Sequence, residues 1–217
     1  MSKPFVVEHK TFQDDRGNFC PSPLFLDNPE IDRDWVQVNT SISPLKWTIR
    51  GLHYQDPPFE QAKYLKVIHG SIRSMILCID KSKKDFGTSY SFEVNKDQAV
   101  MVPRGYANGL ITLEENTVIQ YFVDNPYSSK HEKSIFYGSV QAFQMIVSEM
   151  TNTPQISDKD LNGISFRLEK DPDFFETCIL CKEITDVPKS MSVDIRVGYI
   201  EGAGQCCKSC FKKELAV

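Results

Sequence analysis

From residue 5 to residue 146 the chain is cut into short segments. Each alternates apolar with polar residues or is rich in β-branched and aromatic side chains, and turn-forming residues separate them. The segments cover residues 5–8, 35–42, 47–55, 62–68, 71–79, 89–94, 99–102, 108–113, 117–123 and 142–146. The turn signals are Asp15-Arg16-Gly17-Asn18, His69-Gly70, Asn95-Lys96-Asp97 and Pro103-Arg104-Gly105. A parallel sheet needs crossover helices, and no long amphipathic helical pattern interrupts this series. The spacing therefore predicts an all-β, antiparallel sandwich or barrel. Coil is expected over residues 151–160, and from about Asp171 the chain changes character and carries cysteine pairs. These shifts predict a domain over residues 1–165 and a small module over residues 171–217.

Charge and terminal sequence narrow the function classes. The 217 residues carry 25 basic and 29 acidic side chains, well mixed, for a net charge of -4. A nucleic-acid footprint would want a basic excess on one face, so no nucleic-acid partner is expected. No apolar run approaches a membrane span, and the first eight residues contain no apolar signal core. The expectation is a cytoplasmic protein with reduced thiols and no membrane partner. Of seven cysteines, Cys20 and Cys78 stand alone and read as ordinary buried or partly buried thiols, while five gather near the C-terminus.

The run Ile49-Arg50-Gly51-Leu52-His53-Tyr54-Gln55 places an arginine and a histidine three residues apart in a strand. Gly51 between them permits a bulge or a close backbone approach. Histidine is a base near neutral pH and arginine holds phosphate. Gln37, Asn39 and Ser41 share one strand face, which either meets solvent or lines a ligand cavity. Lys63 and Tyr121 fall inside apolar strand patterns. Taken together, His53 reads as a general base, Lys63 as an electrostatic partner for an oxyanion, Tyr121 as a proton donor and Asp160 as the carboxylate that orients His53. That set suits proton abstraction beside a carbonyl. The bland alternative is a satisfied core histidine with a lysine and a tyrosine that merely cap strands. A metal centre in the barrel is not expected, because the four histidines, His9, His53, His69 and His131, form no H-x-H pair.

Over roughly residues 5–160 the chain resembles the dTDP-4-dehydrorhamnose 3,5-epimerase family of cupin-fold enzymes. The motifs that carry this are Asp15-Arg16-Gly17-Asn18-Phe19, Gln37-Val38-Asn39-Thr40-Ser41, Arg50-Gly51-Leu52-His53-Tyr54-Gln55, Gln61-Ala62-Lys63 and Phe86-Gly87. They continue with Pro103-Arg104-Gly105-Tyr106-Ala107-Asn108-Gly109, Tyr121, Tyr127 and Ile156-Ser157-Asp158-Lys159-Asp160. The resemblance implies a jelly-roll β-barrel, a homodimer that exchanges N-terminal strands, and catalysis without metal or organic cofactor. It implies a nucleotide-linked 4-keto-6-deoxyhexose as substrate. The residue matching His53 removes a proton beside the ketone, assisted by the one matching Asp160. The Lys63 match stabilises the enolate, and the Tyr121 match reprotonates the opposite face. Arg16 and Arg50 match residues that hold the diphosphate, and Gln37, Asn39, Asn108 and Tyr127 match positions around the substrate. The chain departs from the family pattern at Asn108, where a histidine is usual, near Cys78-Ile79-Asp80, where D-x-R is usual, and near Tyr137-Gly138-Ser139, where Trp-Asn-Asp is usual.

Cys178-Ile179-Leu180-Cys181 and Cys207-Lys208-Ser209-Cys210 are two C-x-x-C pairs with 25 residues between them, and Cys206 adds a fifth thiol. Such pairs in a reduced compartment predict a structural Zn²⁺ held by Cys178, Cys181, Cys207 and Cys210, because four thiolates close a tetrahedron. A strand or hairpin arm is expected over residues 192–200, with a turn at Gly202-Ala203-Gly204, giving a small zinc ribbon. Three readings stand at this point: a 3,5-epimerase type of isomerase, a single-centre (3- or 5-) epimerase on another nucleotide sugar, and a non-catalytic nucleotide-sugar-binding cupin with a docking ribbon.

Overall fold

The computed structural model describes residues 3–21, 29–166, 175–189, 193 and 196–215. The chain divides into two compact units, Met1–Phe166 and Arg167–Val217.

In the first unit, β1 (Phe5–Glu8) is followed by a small hairpin of β2 (Phe12–Asp14) and β3 (Gly17–Phe19). Then come β4 (Gln37–Ser43), β5 (Ile49–Gln55), β6 (Lys63–His69), β7 (Ser71–Cys78), β8 (Ser89–Asn95), β9 (Gln98–Val102), β10 (Tyr106–Thr112), β11 (Thr117–Val123) and β12 (Glu132–Ser134). They form two antiparallel five-stranded sheets, ordered β1-β9-β6-β11-β4 and β12-β5-β10-β7-β8. This is the expected jelly-roll class: from β4 to β12 consecutive strands lie in opposite sheets, except for the β7–β8 hairpin within the second sheet.

Strand alternation explains the layers. Leu65, Val67, Ile72, Ile76, Val100 and Ile119 point between the sheets and are almost fully buried. The next residues along β7, Met75 and Leu77, point the other way, and a second cluster covers them through Phe143 on α1 (Gln141–Ser148). The second sheet is thus buried on both faces, which is why β10 reads as a continuous buried run. The outer face of the first sheet carries Tyr64, Ala99 and Met101 with Trp35 and Phe122 against them. Further along it, Val36, Val38 and Ile42 remain exposed.

Two sequence expectations are corrected. Residues 142–146 are not a strand but part of α1. Phe143, Ile146 and Val147, spaced three and four apart, turn one helical face onto the core, and that burial overrides the short alternating look of the run. The expected coil at its end contains a short helix, α2 (Asp158–Leu161), capped by Ser157, whose side chain accepts from the Asp160 backbone N–H.

In the second unit, β13 (Phe175–Thr177) pairs with β14 (Ile184–Pro188), and β15 (Tyr199–Ile200) pairs with β16 (Gly204–Gln205) ahead of α3 (Lys208–Leu215). Of the strand or arm expected over residues 192–200, residues 192, 194 and 195 lie outside the described residues, and of the rest only Tyr199 and Ile200 form a strand, β15, because the chain turns at Val197-Gly198, where Gly198 has φ +84. The turn expected at 202–204 lies at residues 201–203, and Gly204 begins β16. Among the described residues, no helix is long and apolar enough to cross a membrane.

Candidate active site

Between the two sheets opens a cavity of about 460 Å³, within the size range of small-molecule sites. The inward residues of β4, Gln37, Asn39 and Ser41, line it, so that face meets a cavity rather than bulk solvent. Gln37 donates to Asn39 Oδ1 at 2.7 Å, which fixes both amides. Leu65, Leu110 and Ile119 form apolar floor.

His53 enters from β5. The carboxylate of Asp160 lies 2.6 Å from its Nε2. A carboxylate only accepts, so Nε2 carries the proton and the ring's lone pair is left on Nδ1. Asp160 is 4% exposed and its other oxygen accepts the Gly51 N–H at 3.0 Å. Burial pushes its carboxyl up, but the bonds from His53, Gly51 and Ser134 outweigh this and hold it below the usual range. An ionised Asp160 thus stands behind the His53 imidazole.

The local backbone explains why these two residues meet. Asn108 is the cross-strand partner of His53, whereas Leu110 partners Arg50, so β5 bulges by one residue at Gly51. Gly51 has φ +97, and a Cβ there would fall 2.6 Å from the Asn108 carbonyl oxygen. Only glycine lets β5 lie this close to β10 while turning an N–H toward Asp160.

Lys63 and Tyr121 come from the opposite sheet, on β6 and β11. The Lys63 Nζ donates to the His53 carbonyl oxygen at 3.4 Å. Burial pulls its ammonium down to about 8, against the opposing pull of the Glu132 carboxylate. Arg50 lines the cavity and donates to Ser43 Oγ at 3.1 Å and the Ile42 carbonyl at 3.2 Å. Asn108 lines it as well, is 8% exposed, and has no partner for its Oδ1 among the described residues. Tyr127, 55% exposed, donates to Glu132 Oε2 at 2.8 Å.

The cavity therefore gathers every expected barrel residue except Arg16. Arg16 sits at the β2–β3 turn, exposed, and pairs with Asp14 at 2.6 Å. The sequence reading missed Glu132 and Lys159, which form an ion pair of 2.7 Å at the cavity wall, and Ser134, which donates to Asp160 Oδ1 at 3.2 Å. A signal for α2 was present: Ser157-Asp158-Lys159-Asp160 has the S-x-x-D spacing of a capped first turn, which sends Lys159 and Asp160 out from one short helix.

In the second unit, the sulfurs of Cys178, Cys181, Cys207 and Cys210 all lie within 4.8 Å of one another. Cys178 and Cys181 flank the β13–β14 turn, and Cys207 and Cys210 bracket the first turn of α3. The Ile179 N–H donates to the Gln205 carbonyl at 2.9 Å, joining the two hairpins. The cluster is competent to hold a metal ion.

A family model described as dTDP-4-dehydrorhamnose 3,5-epimerase matches residues 1–167, leaving the cysteine module outside the match. The enzyme of that name from Shigella flexneri is 30% identical over 175 residues, 78% of this chain and 93% of that protein. The Bacillus anthracis structure of a dTDP-4-dehydrorhamnose 3,5-epimerase with TDP and PPi bound has a TM-score of 0.67 and 28% identity, covering 75% of this chain and 94% of its own. The Legionella pneumophila dTDP-6-deoxy-D-glucose-3,5-epimerase, in complex with dTDP-4-keto-L-rhamnose, has a TM-score of 0.66 and 26% identity over 74% of this chain and 86% of its own. With its barrel matched end to end, the chain belongs to the dTDP-4-dehydrorhamnose 3,5-epimerase family of cupin-fold isomerases.

Proposed function

We propose that the protein epimerises a dTDP-linked 4-keto-6-deoxyhexose, with the residues of the barrel cavity in the following roles. His53 Nδ1 takes the proton from the carbon beside the ketone, and the electron pair moves onto the ketone oxygen. Asp160 holds the imidazolium, and Lys63 stabilises the enolate oxygen. Tyr121 then gives its phenolic proton to the opposite face of that carbon and regains one from water, to which His53 releases the proton it took, so the centre inverts and the ketone returns. Arg50 binds the diphosphate, Asn108, Gln37 and Asn39 take sugar groups, and Tyr127 stands at the mouth beside the nucleotide. The observation that carries this reading is that base and phenol belong to opposite sheets, with the cavity between them. Cofactor-free epimerisation requires two proton-transfer groups on opposite faces of the substrate. The TDP and dTDP-sugar ligands of the two related structures support the choice of nucleotide.

The protein is proposed to act in the cytoplasm as a homodimer. The exposed Val36, Val38 and Ile42 on the outer face of β4 are the surface that a second copy would cover. In such a dimer the β2–β3 hairpin would carry Arg16 to the diphosphate of the partner's cavity. The C-terminal module over residues 171–217 is proposed to hold one structural Zn²⁺. With Zn–S bonds of about 2.3 Å a tetrahedron has edges of about 3.8 Å, and the Cys181 and Cys207 sulfurs are 3.8 Å apart. Four thiolates leave no open position, so this metal takes no part in the isomerisation.

Proton NMR of dTDP-4-keto-6-deoxyglucose incubated with the protein in D2O tests the reading. Deuterium exchange at carbons 3 and 5 is expected. Exchange at one carbon only replaces it with a single-centre epimerase. No exchange, with binding measured separately, replaces it with a binding protein. His53→Asn should lose exchange and keep binding; retained exchange would remove His53 from its role.

A further inference from the structure

Oδ1 of Asp160 has two donors. His53 Nε2 lies at 2.6 Å and Ser134 Oγ at 3.2 Å, while Oδ2 accepts from the Gly51 backbone. Ser134 is the cross-strand partner of His53 in the β12–β5 pair, so the register that places the base also places the hydroxyl. The mechanism above gives Ser134 no task. Its backbone already ties β12 to the segment after α2, because the Ile164 N–H donates to the Ser134 carbonyl at 2.8 Å. The hydroxyl is not needed for that tie.

We propose that Ser134 is a positioning residue that sets how strongly Asp160 holds the proton of His53. This rests on reading His53 as the base. Two donors on one oxygen divide its negative charge between them. The Ser134 hydroxyl stabilises the carboxylate and weakens its pull on the imidazolium. A base that Asp160 held too tightly would already be protonated near neutral pH and could not take a proton from carbon. Ser134 therefore keeps the dyad oriented without letting Asp160 overstabilise its charged form. The other charged groups facing the dyad are Lys63 from β6, Glu132 from β12, Lys159 from α2 and Arg50 from β5. The facing phenols are Tyr54, Tyr121 and Tyr127. None of these donates to Asp160, so removing the Ser134 hydroxyl changes the carboxylate directly and leaves the surrounding charges in place.

The test compares wild type with Ser134→Ala and Ser134→Thr by two readouts. The first is the far-downfield proton resonance of the His53–Asp160 bond in substrate-free protein, assigned by its loss in His53→Asn. The second is the pH profile of deuterium exchange into dTDP-4-keto-6-deoxyglucose. In Ser134→Ala the resonance should move downfield, and the acidic limb should move to higher pH by roughly half a unit, a fraction of a full hydrogen bond to a charged group. Ser134→Thr, which keeps the hydroxyl, should restore both. A Ser134→Ala protein with the wild-type resonance and the wild-type limb overturns the proposal. If Ser134→Ala does not fold, Ser134→Cys, a weaker donor of similar size, is measured in its place. If wild type shows no exchange, it is the isomerase reading that fails, and the resonance alone decides the role of Ser134.

Discussion

The ammonium of Lys63 is anchored to the carbonyl oxygen of His53, so the group proposed to stabilise the enolate is fixed to the backbone of the residue proposed to create it. Its burial has a direct consequence for pH. Loss of hydration favours the neutral amine and brings Lys63 down to about 8. The ammonium is therefore fully present well below pH 8 and disappears as pH rises through that value. Exchange and turnover should fall along an alkaline limb centred near pH 8, and Lys63→Arg, which stays charged, should remove that limb while lowering the rate. Lys63→Met should reduce kcat by about 10²-fold or more, the usual loss when one oxyanion partner is removed. A rate still flat at pH 10 would separate Lys63 from the oxyanion. At this scale much was legible in the sequence. The alternation of β4 announced that Gln37, Asn39 and Ser41 share a face, and the resemblance tied His53 to Asp160 across 107 positions. Glu132 and Ser134 were not legible, because their importance comes from the pairing of β12 with β5 rather than from any pattern of their own; Lys159 was missed although the Ser157 cap spacing that places it was present.

The elements show where local pattern suffices and where tertiary burial decides. Strands read from alternation lie within one or two residues of β1 and β4–β11, since each has one face turned toward a core. The run at 142–146 failed because five apolar-rich residues fit either period, and the empty outer face of the second sheet selected a helix that buries Phe143. The three-residue strands β2, β3 and β12 are too short to carry a period at all. Gly51, by contrast, was legible as a site for a bulge or a close backbone approach, and the structure shows both. Gly51→Ala places a Cβ 2.6 Å from the Asn108 carbonyl in a left-handed backbone region. The variant should lose about 1–3 kcal/mol of stability, the range for strained backbone positions, as read by urea unfolding. Its exchange rate should fall further than its folded fraction, because pushing β5 away from β10 also withdraws the Gly51 N–H from Asp160. A variant with normal exchange would show that the bulge serves the sheet and not the dyad.

At the scale of the molecule, two units of very different self-sufficiency share one chain. The barrel buries three apolar clusters. The second unit, Arg167–Val217, buries only Phe175, Cys178 and Cys206 among its described apolar residues. A chain of that size with so small a core rarely folds without a staple. Its hairpins are short, and among the described residues the Ile179 N–H to the Gln205 carbonyl is the backbone bond that joins them. The four sulfurs gathered at the β13–β14 turn and the start of α3 are the groups the proposed zinc would bind, and zinc binding to such thiolates is itself folding energy. The purified protein should contain about one zinc per chain by elemental analysis. Cys178→Ser should abolish it, and limited proteolysis should then cut within residues 167–217 while the barrel remains resistant. Zinc removed by a chelator and then restored should return the protease resistance, which separates loss of the metal from an effect of the substitution itself. Unchanged zinc in Cys178→Ser would place the metal elsewhere. A metal-free wild type that resists proteolysis equally well would mean that packing, and not the thiolate cluster, holds the module together.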